Sequence, residues 1–206
     1  PKSCLDPGLR NMRILSNKVL IILFILLGTT FSLNAQVAKY SNEFLSVGVG
    51  ARALSMANAN VASVNDVTAG YWNPAGLNLQ KSNLQVGLMH AEYFAGIAKY
   101  DFIGGSKRLD SNSVAGITFI RFGVDNIPNT TELIDANGNV DYSRLKSFNA
   151  VDVAVLLSYA RNMAKIKGLK IGVNAKIIRR KIGDFAGAWG FGLDAGLQIE
   201  ANKWKF

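Results

Sequence analysis

The sequence predicts an all-β protein: a transmembrane antiparallel β-barrel, represented by about six of its strands, behind a small N-terminal hatch or plug segment. Three observations predict this. After Asn78, apolar residues alternate with small or polar ones at period two, the mark of strands with two unlike faces. An export signal stands near the N-terminus. Between them, Phe44–Leu77 reads FLSVGVGARALSMANANVASVNDVTAGYWNPAGL, dense in Gly, Ala and Asn and without the charged face of a surface helix.

Residues 1–11 precede Met12, read as translated upstream sequence, and are left out of the fold. Residues 12–35 read as a signal peptide. Arg13 and Lys18 form its positive start, Val19–Leu27 its apolar stretch, and Leu33-Asn34-Ala35 its cleavage site. An uncleaved anchor is the disfavoured alternative, because the apolar stretch is shorter than the ~20 residues that span a bilayer. The 206 residues suit one domain, and 20 glycines with 18% charged residues suit a Gly-rich β-protein. The net charge is +9; residues 1–35 supply +3 of it, which leaves +6. No basic run interleaves with stacking aromatics, so a nucleic-acid partner is discounted. Cys4, the single cysteine, lies in the leader, so the exported chain has no disulfide and no thiol nucleophile.

The hatch segment is predicted over 36–80. Gly48 and Gly50 reach backbone angles closed to other residues. Arg52 is a lone cation among small residues and calls for a partner, with Asp66 the candidate; a structural pairing is preferred to a gating switch. Asp66 also suits the cap of a short helix over Val67–Tyr71. Trp72 reads as a packing residue rather than a ligand platform. Asn73-Pro74 reads as a turn or helix end, and Gly76 completes the motif.

The strands are predicted over 81–206. The clearest is Gly187–Ala201, where Trp189, Phe191, Leu193, Ala195, Leu197 and Ile199 oppose Gly190, Gly192, Asp194, Gly196, Gln198 and Glu200. In Leu169–Arg179, Ile171, Val173, Ala175 and Ile177 oppose Lys170, Gly172, Asn174 and Lys176. Val151–Tyr159 alternates likewise, and Leu84, Val86 and Leu88 oppose Gln85 and Gly87. In Gly96–Phe102, Ala98, Tyr100 and Phe102 oppose Lys99 and Asp101. Val114–Val124 is a strand with mixed faces. A barrel in lipid needs an apolar outside and tolerates a polar, Gly-rich inside, and 9–11 residues cross a bilayer at a tilt. Tyr100, Tyr159, Trp189 and Trp204 near strand ends fit an aromatic girdle. A soluble sandwich also alternates; strand length and the export signal favour the membrane.

Six strands cannot close a barrel, since the smallest have eight. The chain is therefore expected to be the N-terminal part of a longer protein. With the N-terminus in the periplasm, the longest link, Asp125–Asn149, falls outside the cell. Its Asn137-Gly138 pair signals a small hairpin. Asp125, Asn126, Pro128, Asp135, Asn137 and Asp141 make it the candidate partner-binding outer loop. The alternation of Asp135, Asn137, Asn139 and Asp141 lacks the glycine position and closing Glu of an EF-hand. A polar turn is preferred over weak Ca²⁺ binding.

Val47-Gly48-Val49-Gly50-Ala51-Arg52-Ala53-Leu54, Val61-Ala62-Ser63, Asp66, Tyr71-Trp72-Asn73-Pro74-Ala75-Gly76-Leu77 and Arg121-Phe122-Gly123-Val124-Asp125-Asn126-Ile127-Pro128 together resemble the PorV/PorQ family. These are outer-membrane proteins of the type IX secretion system of Bacteroidetes. The likeness runs from about Gln36 onward and departs at Ser55-Met56-Ala57-Asn58, where relatives often have more glycine. It implies a FadL-like, fourteen-stranded barrel with an N-terminal hatch. It also implies a shuttle that binds the C-terminal signal domains of secreted cargo and passes cargo to the attachment and translocon proteins. Transfer of function is weaker than transfer of fold.

The expected function is thus a non-enzymatic, cargo-binding component of type IX secretion in the bacterial outer membrane, in contact with its lipid. The alternative is a FadL-like channel for hydrophobic small molecules, with Ile117 and Phe119 of the mixed strand lining an apolar pocket. A structural porin or adhesin is a third possibility. With His90 the only histidine and no acid–base or nucleophile constellation, an enzyme, a metal site and a cofactor are not expected.

Overall fold

The computed structural model describes residues 42–134, 138–164, 166, 168–201 and 204–205. The leader over 1–11, the signal peptide over 12–35 and the first hatch residues, 36–41, lie outside the described residues.

The chain is all-β. Strands β1 (Leu84–Tyr93), β2 (Ala98–Arg108), β3 (Ser113–Asn129), β4 (Lys146–Asn162), β5 (Leu169–Ile182), β6 (Ala186–Ala201) and the two-residue β7 (Trp204–Lys205) form one sheet in sequence order. Every neighbouring pair is antiparallel. Antiparallel neighbours need only short links, and the chain uses them: 94–97, 109–112, 163–168 and 183–185. No helix among the described residues is long and apolar enough to cross a membrane.

Alternation gives the sheet two faces, and residues paired across strands share one. The hatch segment packs on the first, the covered face. Phe44 and Val49 join Tyr100, Phe102, Ile120, Ala154, Leu156 and Ile178 in the main core, and Val64, Ala69 and Leu77 join Val114 and Ala160 in a second. Trp72 packs against both. Fully burying side chains of this size is worth ~1.5–3 kcal/mol each.

The second face is bare and apolar. Leu84, Val86 and Leu88 of β1, Ile103 of β2, Ile117 of β3, Leu157 of β4, Val173 and Ile177 of β5 and Leu197 of β6 are all exposed there. On β6, Phe191 is 79% and Leu193 85% exposed. The predicted apolar faces of β1, β4, β5 and β6 are therefore the uncovered ones.

On β2 the expected orientation is reversed. Ala98, Tyr100 and Phe102 lie under the hatch segment, with Tyr100 0% exposed. Lys99 and Asp101 share the bare face with Ile103. Period two says which residues share a face, not which face gets covered. Here the hatch brings Phe44 and Val49 to β2 and β3, and the aromatic residues turn toward them. Tyr100 is thus a core residue rather than part of a girdle. Tyr159 and Trp189 are exposed on the bare face, and the side chain of Trp204 lies outside the described residues.

The expected long loop is also shorter. β3 and β4 are 17 residues each, so Asp125, Asn126 and Pro128 belong to β3 and Lys146–Asn149 to β4. A register shift between Val124 and Ile127 absorbs the turn-like residues. Asn126 takes φ 58° there, as a bulge allows. The link that remains is 130–145. Within it Ile134 bridges Val140, which agrees with the small hairpin expected around Gly138.

After the first hatch helix, α1 (Ala51–Ser55), the chain reverses through Ala57 at φ 52° and Asn58 at φ 68°. An L-residue with a Cβ pays ~1–2 kcal/mol there, and glycine does not. Ala57→Gly is expected to raise stability by about 1 kcal/mol, read as a higher thermal midpoint; an unchanged or lower midpoint would refute the strain.

Candidate functional site

The hatch segment is the candidate site, and its charge pattern is unusual. Between residues 42 and 80 it carries only Glu43, Arg52 and Asp66 as charged residues. None of the three forms an ion pair with the sheet among the described residues, although the Glu43 charge is felt by Arg180 of β5. The segment is held instead by close packing and by hydrogen bonds to its neutral groups, among them those from the Arg108 guanidinium of β2 to Asn78 and to the Gln80 carbonyl.

Its first half runs through the 3-10 turn Glu43–Ser46 and α1. Gly48 at φ 98° and Gly50 at φ 86° make the bends between them, as expected. The Gly48 N–H donates to the Tyr71 hydroxyl at 3.0 Å, and that hydroxyl donates to the Leu45 carbonyl. Burial pushes the Tyr71 phenol above its ordinary pKa, while the Gly48 bond pulls the other way.

Arg52 and Asp66 do not pair. Arg52 is exposed on α1. The Asp66 carboxylate accepts from Thr68 at both its backbone N, 2.8 Å, and Oγ1, 2.5 Å. An Asx turn two residues on satisfies the carboxylate locally, so no cation is needed. The two residues do line one small cavity of about 120 Å³ with Asn60 and Val64. The turn leads into α2 (Ala69–Trp72), which begins two residues later than the expected Val67–Tyr71; its N-cap is Thr68, with no side-chain cap bond, so Asp66 does not take the expected capping place.

The second half is the docking element. Trp72 Nε1 donates to the Val49 carbonyl at 2.9 Å, which ties the two halves together and makes Trp72 a packing residue, as expected. Asn73 ends α2 and caps the 3-10 turn Pro74–Leu79, its Oδ1 accepting from the Ala75 N–H at 3.2 Å. Its Nδ2 donates to the Val61 carbonyl at 3.1 Å and to the Leu197 carbonyl of β6 at 3.0 Å. Pro74 fits the first position of that turn, where its missing N–H costs nothing. Gly76 lies under Val64, whose carbonyl oxygen would be 2.6 Å from an added Cβ.

Sequence reasoning placed the glycines of β5 and β6 on an inner face and gave them no partner. The structure supplies one. A Cβ at Gly172 would lie 2.2 Å from the Ala75 nitrogen and 2.4 Å from the Pro74 carbonyl carbon. At Gly196 it would lie 2.2 Å from Asn73 Oδ1. At Gly172 backbone meets backbone and at Gly196 it meets the Asn73 amide, with no room for a side chain at either. Asn174 Nδ2 donates to the Gly70 carbonyl at 2.8 Å, and Gln198 Nε2 to the Ala62 carbonyl at 2.7 Å. Their appearance on an otherwise glycine-rich face is the signal that would have found them.

Around this contact the covered face of β4–β6 carries its own ion pairs. Arg180 donates twice to Asp152, each bond 2.6 Å. Lys176 lies 2.8 Å from Asp194, and Lys170 lies 2.7 Å from Glu200. A cavity of about 240 Å³ opens between hatch and sheet, lined by Leu45, Asn58, Tyr71, Trp72, Leu156 and Lys176. Ile117 and Phe119 do not line it. They lie on the bare face, paired with Leu157 and Val155, because neighbouring Thr118 and Ile120 take the covered one.

The candidate outer-loop residues do not converge. Asp125 pairs with Lys99 at 3.2 Å and with Arg121 at 3.9 Å. The Asn126 N–H donates to Asn149 Oδ1 at 2.9 Å, and Pro128 is exposed on β3. Asp141 accepts from Ser143 and Arg144; the Ser143 bonds hold its carboxyl below the usual range. Asp135 and Asn137 lie outside the described residues. Among the described residues no three of His, Cys, Asp and Glu gather as metal ligands would.

No family model, curated protein or solved structure matches the chain.

Two results follow from a hatch held by packing. Gly172→Ala should destabilise the fold by about 1–3 kcal/mol, the cost of overpacking a tight contact, and should open the hatch to limited proteolysis. Raising salt to 1 M, where the Debye length is ~3 Å, should leave hatch protection unchanged. Salt-induced cleavage within 42–80 would show that charge holds the segment.

Proposed function

We propose that the chain is the N-terminal part of an outer-membrane β-barrel of the PorV/PorQ kind. In this reading it is a non-enzymatic component of type IX secretion that binds the C-terminal signal domains of cargo. The observation that carries it is the sheet's asymmetry. One face is uncovered across six strands and exposes apolar residues from each of them, and the other is packed with the segment that holds the family-like motif. An uncovered apolar face of this extent suits lipid better than water. Closing the barrel requires further strands, since the smallest have eight.

Strand length supports a docking role. A 17-residue strand spans roughly 56 Å, well beyond a lipid-facing band of ~25 Å even when tilted. The far ends of β3 and β4 and the link 130–145 would then project from the membrane, where cargo and attachment proteins could reach them.

A second reading, a FadL-like channel for hydrophobic small molecules, draws on the cavity between hatch and sheet. Its lining combines Leu45, Tyr71, Trp72 and Leu156 with Ser46, Asn58 and Lys176. In this reading the ligand sits against Tyr71, Trp72 and Leu156, not against Ile117 and Phe119.

The test is purification of the tagged protein from outer membranes of its host. Recovery with type IX attachment proteins or with C-terminal signal domains is the expected result. Recovery alone with a bound lipid-like molecule favours the channel. Absence from the outer-membrane fraction defeats both.

A further inference from the structure

At the end of the sheet that holds links 94–97, 130–145 and 183–185, the bare face carries charge in two places. Over β1–β3 the charges neutralise one another. His90 lies 2.6 Å from Asp101, Arg121 lies 3.3 Å from Asp101, and Lys99 lies 3.2 Å from Asp125. Over β5, among the described residues, they do not. Arg179 and Lys181 stand two residues apart on the bare face, and the ion pairs of β5 are made by Lys170, Lys176 and Arg180 on the other. Asp184, in the adjoining link, pairs with neither.

The local geometry turns the Arg179 guanidinium toward the position opposite Lys181. The Arg179 guanidinium lies 4.9 Å from the centre of the Trp189 ring, its partner across β6. It also leans over Gly187, its Nη2 3.0 Å from where a Cβ would stand. Gly187 is the residue opposite Lys181, so no β6 side chain fills the space between the cations. From this point the apolar strip begins, with Ile177, Phe191 and Leu193 exposed in sequence.

We propose that Arg179 and Lys181, based on Trp189, bind the phosphate of a membrane lipid whose acyl chains lie along Ile177, Phe191 and Leu193. The proposal rests on the membrane reading of the bare face. A guanidinium presents paired donors to phosphate oxygens, and the ammonium adds a second charge. Trp189 has the amphipathic ring that settles at headgroup depth. A free anion would gain from the cations but nothing from the strip beneath them; a lipid gains from both.

The test compares phosphatidylglycerol with a galactosyl diacylglycerol of the same chains and no phosphate, bound to the full chain and read by native mass spectrometry. Wild type should retain phosphatidylglycerol about tenfold more tightly. Arg179→Ala with Lys181→Ala should abolish that preference, and Arg179→Lys with Lys181→Arg should largely keep it. Retention unchanged in the double alanine variant would overturn the site. Displacement by inorganic phosphate at equal concentration would overturn it too, in favour of a free-anion site. Insertion into vesicles of the galactolipid alone separates the two levels of inference. Insertion without a phosphate preference sinks only the lipid site, whereas failure to insert in any vesicle sinks the membrane reading with it.

Discussion

The structure depends on the approach of one turn to one patch of strand. Asn73-Pro74-Ala75 lies directly on Gly172 and Gly196, so close that a single methyl group at either glycine would collide with backbone or with Asn73. Asn73 then bonds three backbone partners at once: Ala75, Val61 and Leu197. With the turn fixed, Trp72 and Tyr71 can reach back to Val49, Gly48 and Leu45. The first half of the hatch, which has little regular structure of its own, is thereby ordered by the second.

This contact also explains why the covered face is uneven. Over β2–β4 it is apolar, with Tyr100, Phe102, Ile120 and Leu156, because Phe44 and Val49 lie against it. Over β5 and β6 the part beneath the turn is built from Gly172, Gly196, Asn174 and Gln198, because what arrives there is largely backbone. Carbonyls brought down onto a sheet must keep their hydrogen bonds, since a buried unpaired one costs about 1–3 kcal/mol. The two side-chain amides meet that requirement for Gly70 and Ala62. An interior read from alternation alone as uniformly polar is in fact divided by what the hatch presents to each strand.

What was legible in the sequence followed from period two and from turn chemistry. β1, β4, β5 and β6 are found where alternation placed them, and Asn73-Pro74 is the expected turn. Gly48 and Gly50 take the expected left-handed angles. What was not legible depended on partners far along the chain. Ala98, Tyr100 and Phe102 look the same whether they face lipid or a hatch, and only Phe44 and Val49 decide between the two. Asp66 carries the charge opposite to Arg52, but Thr68, two residues on, satisfies its carboxylate. Asp125, Asn126 and Pro128 have the composition of a loop, yet a bulge carries β3 through them.

The distribution of charge bears on how the hatch is held. The three ion pairs of the covered face, Arg180–Asp152, Lys176–Asp194 and Lys170–Glu200, all join one strand to another. None joins the sheet to the hatch. Each pair keeps at least one partly exposed side chain, so it adds little net stability. Such pairs therefore fix strand register more than they add strength, and here they fix it around the patch on which the turn must fit. Asp152↔Arg180, two rows from Ala154↔Ile178 in the core, and Asn174↔Asp194, beside Gly172↔Gly196, are direct register partners. A slip of one residue would turn both glycines to the other face and put side chains under Pro74. The charges that look most like a functional site thus act on the hatch indirectly, by keeping the glycines where the backbone needs them.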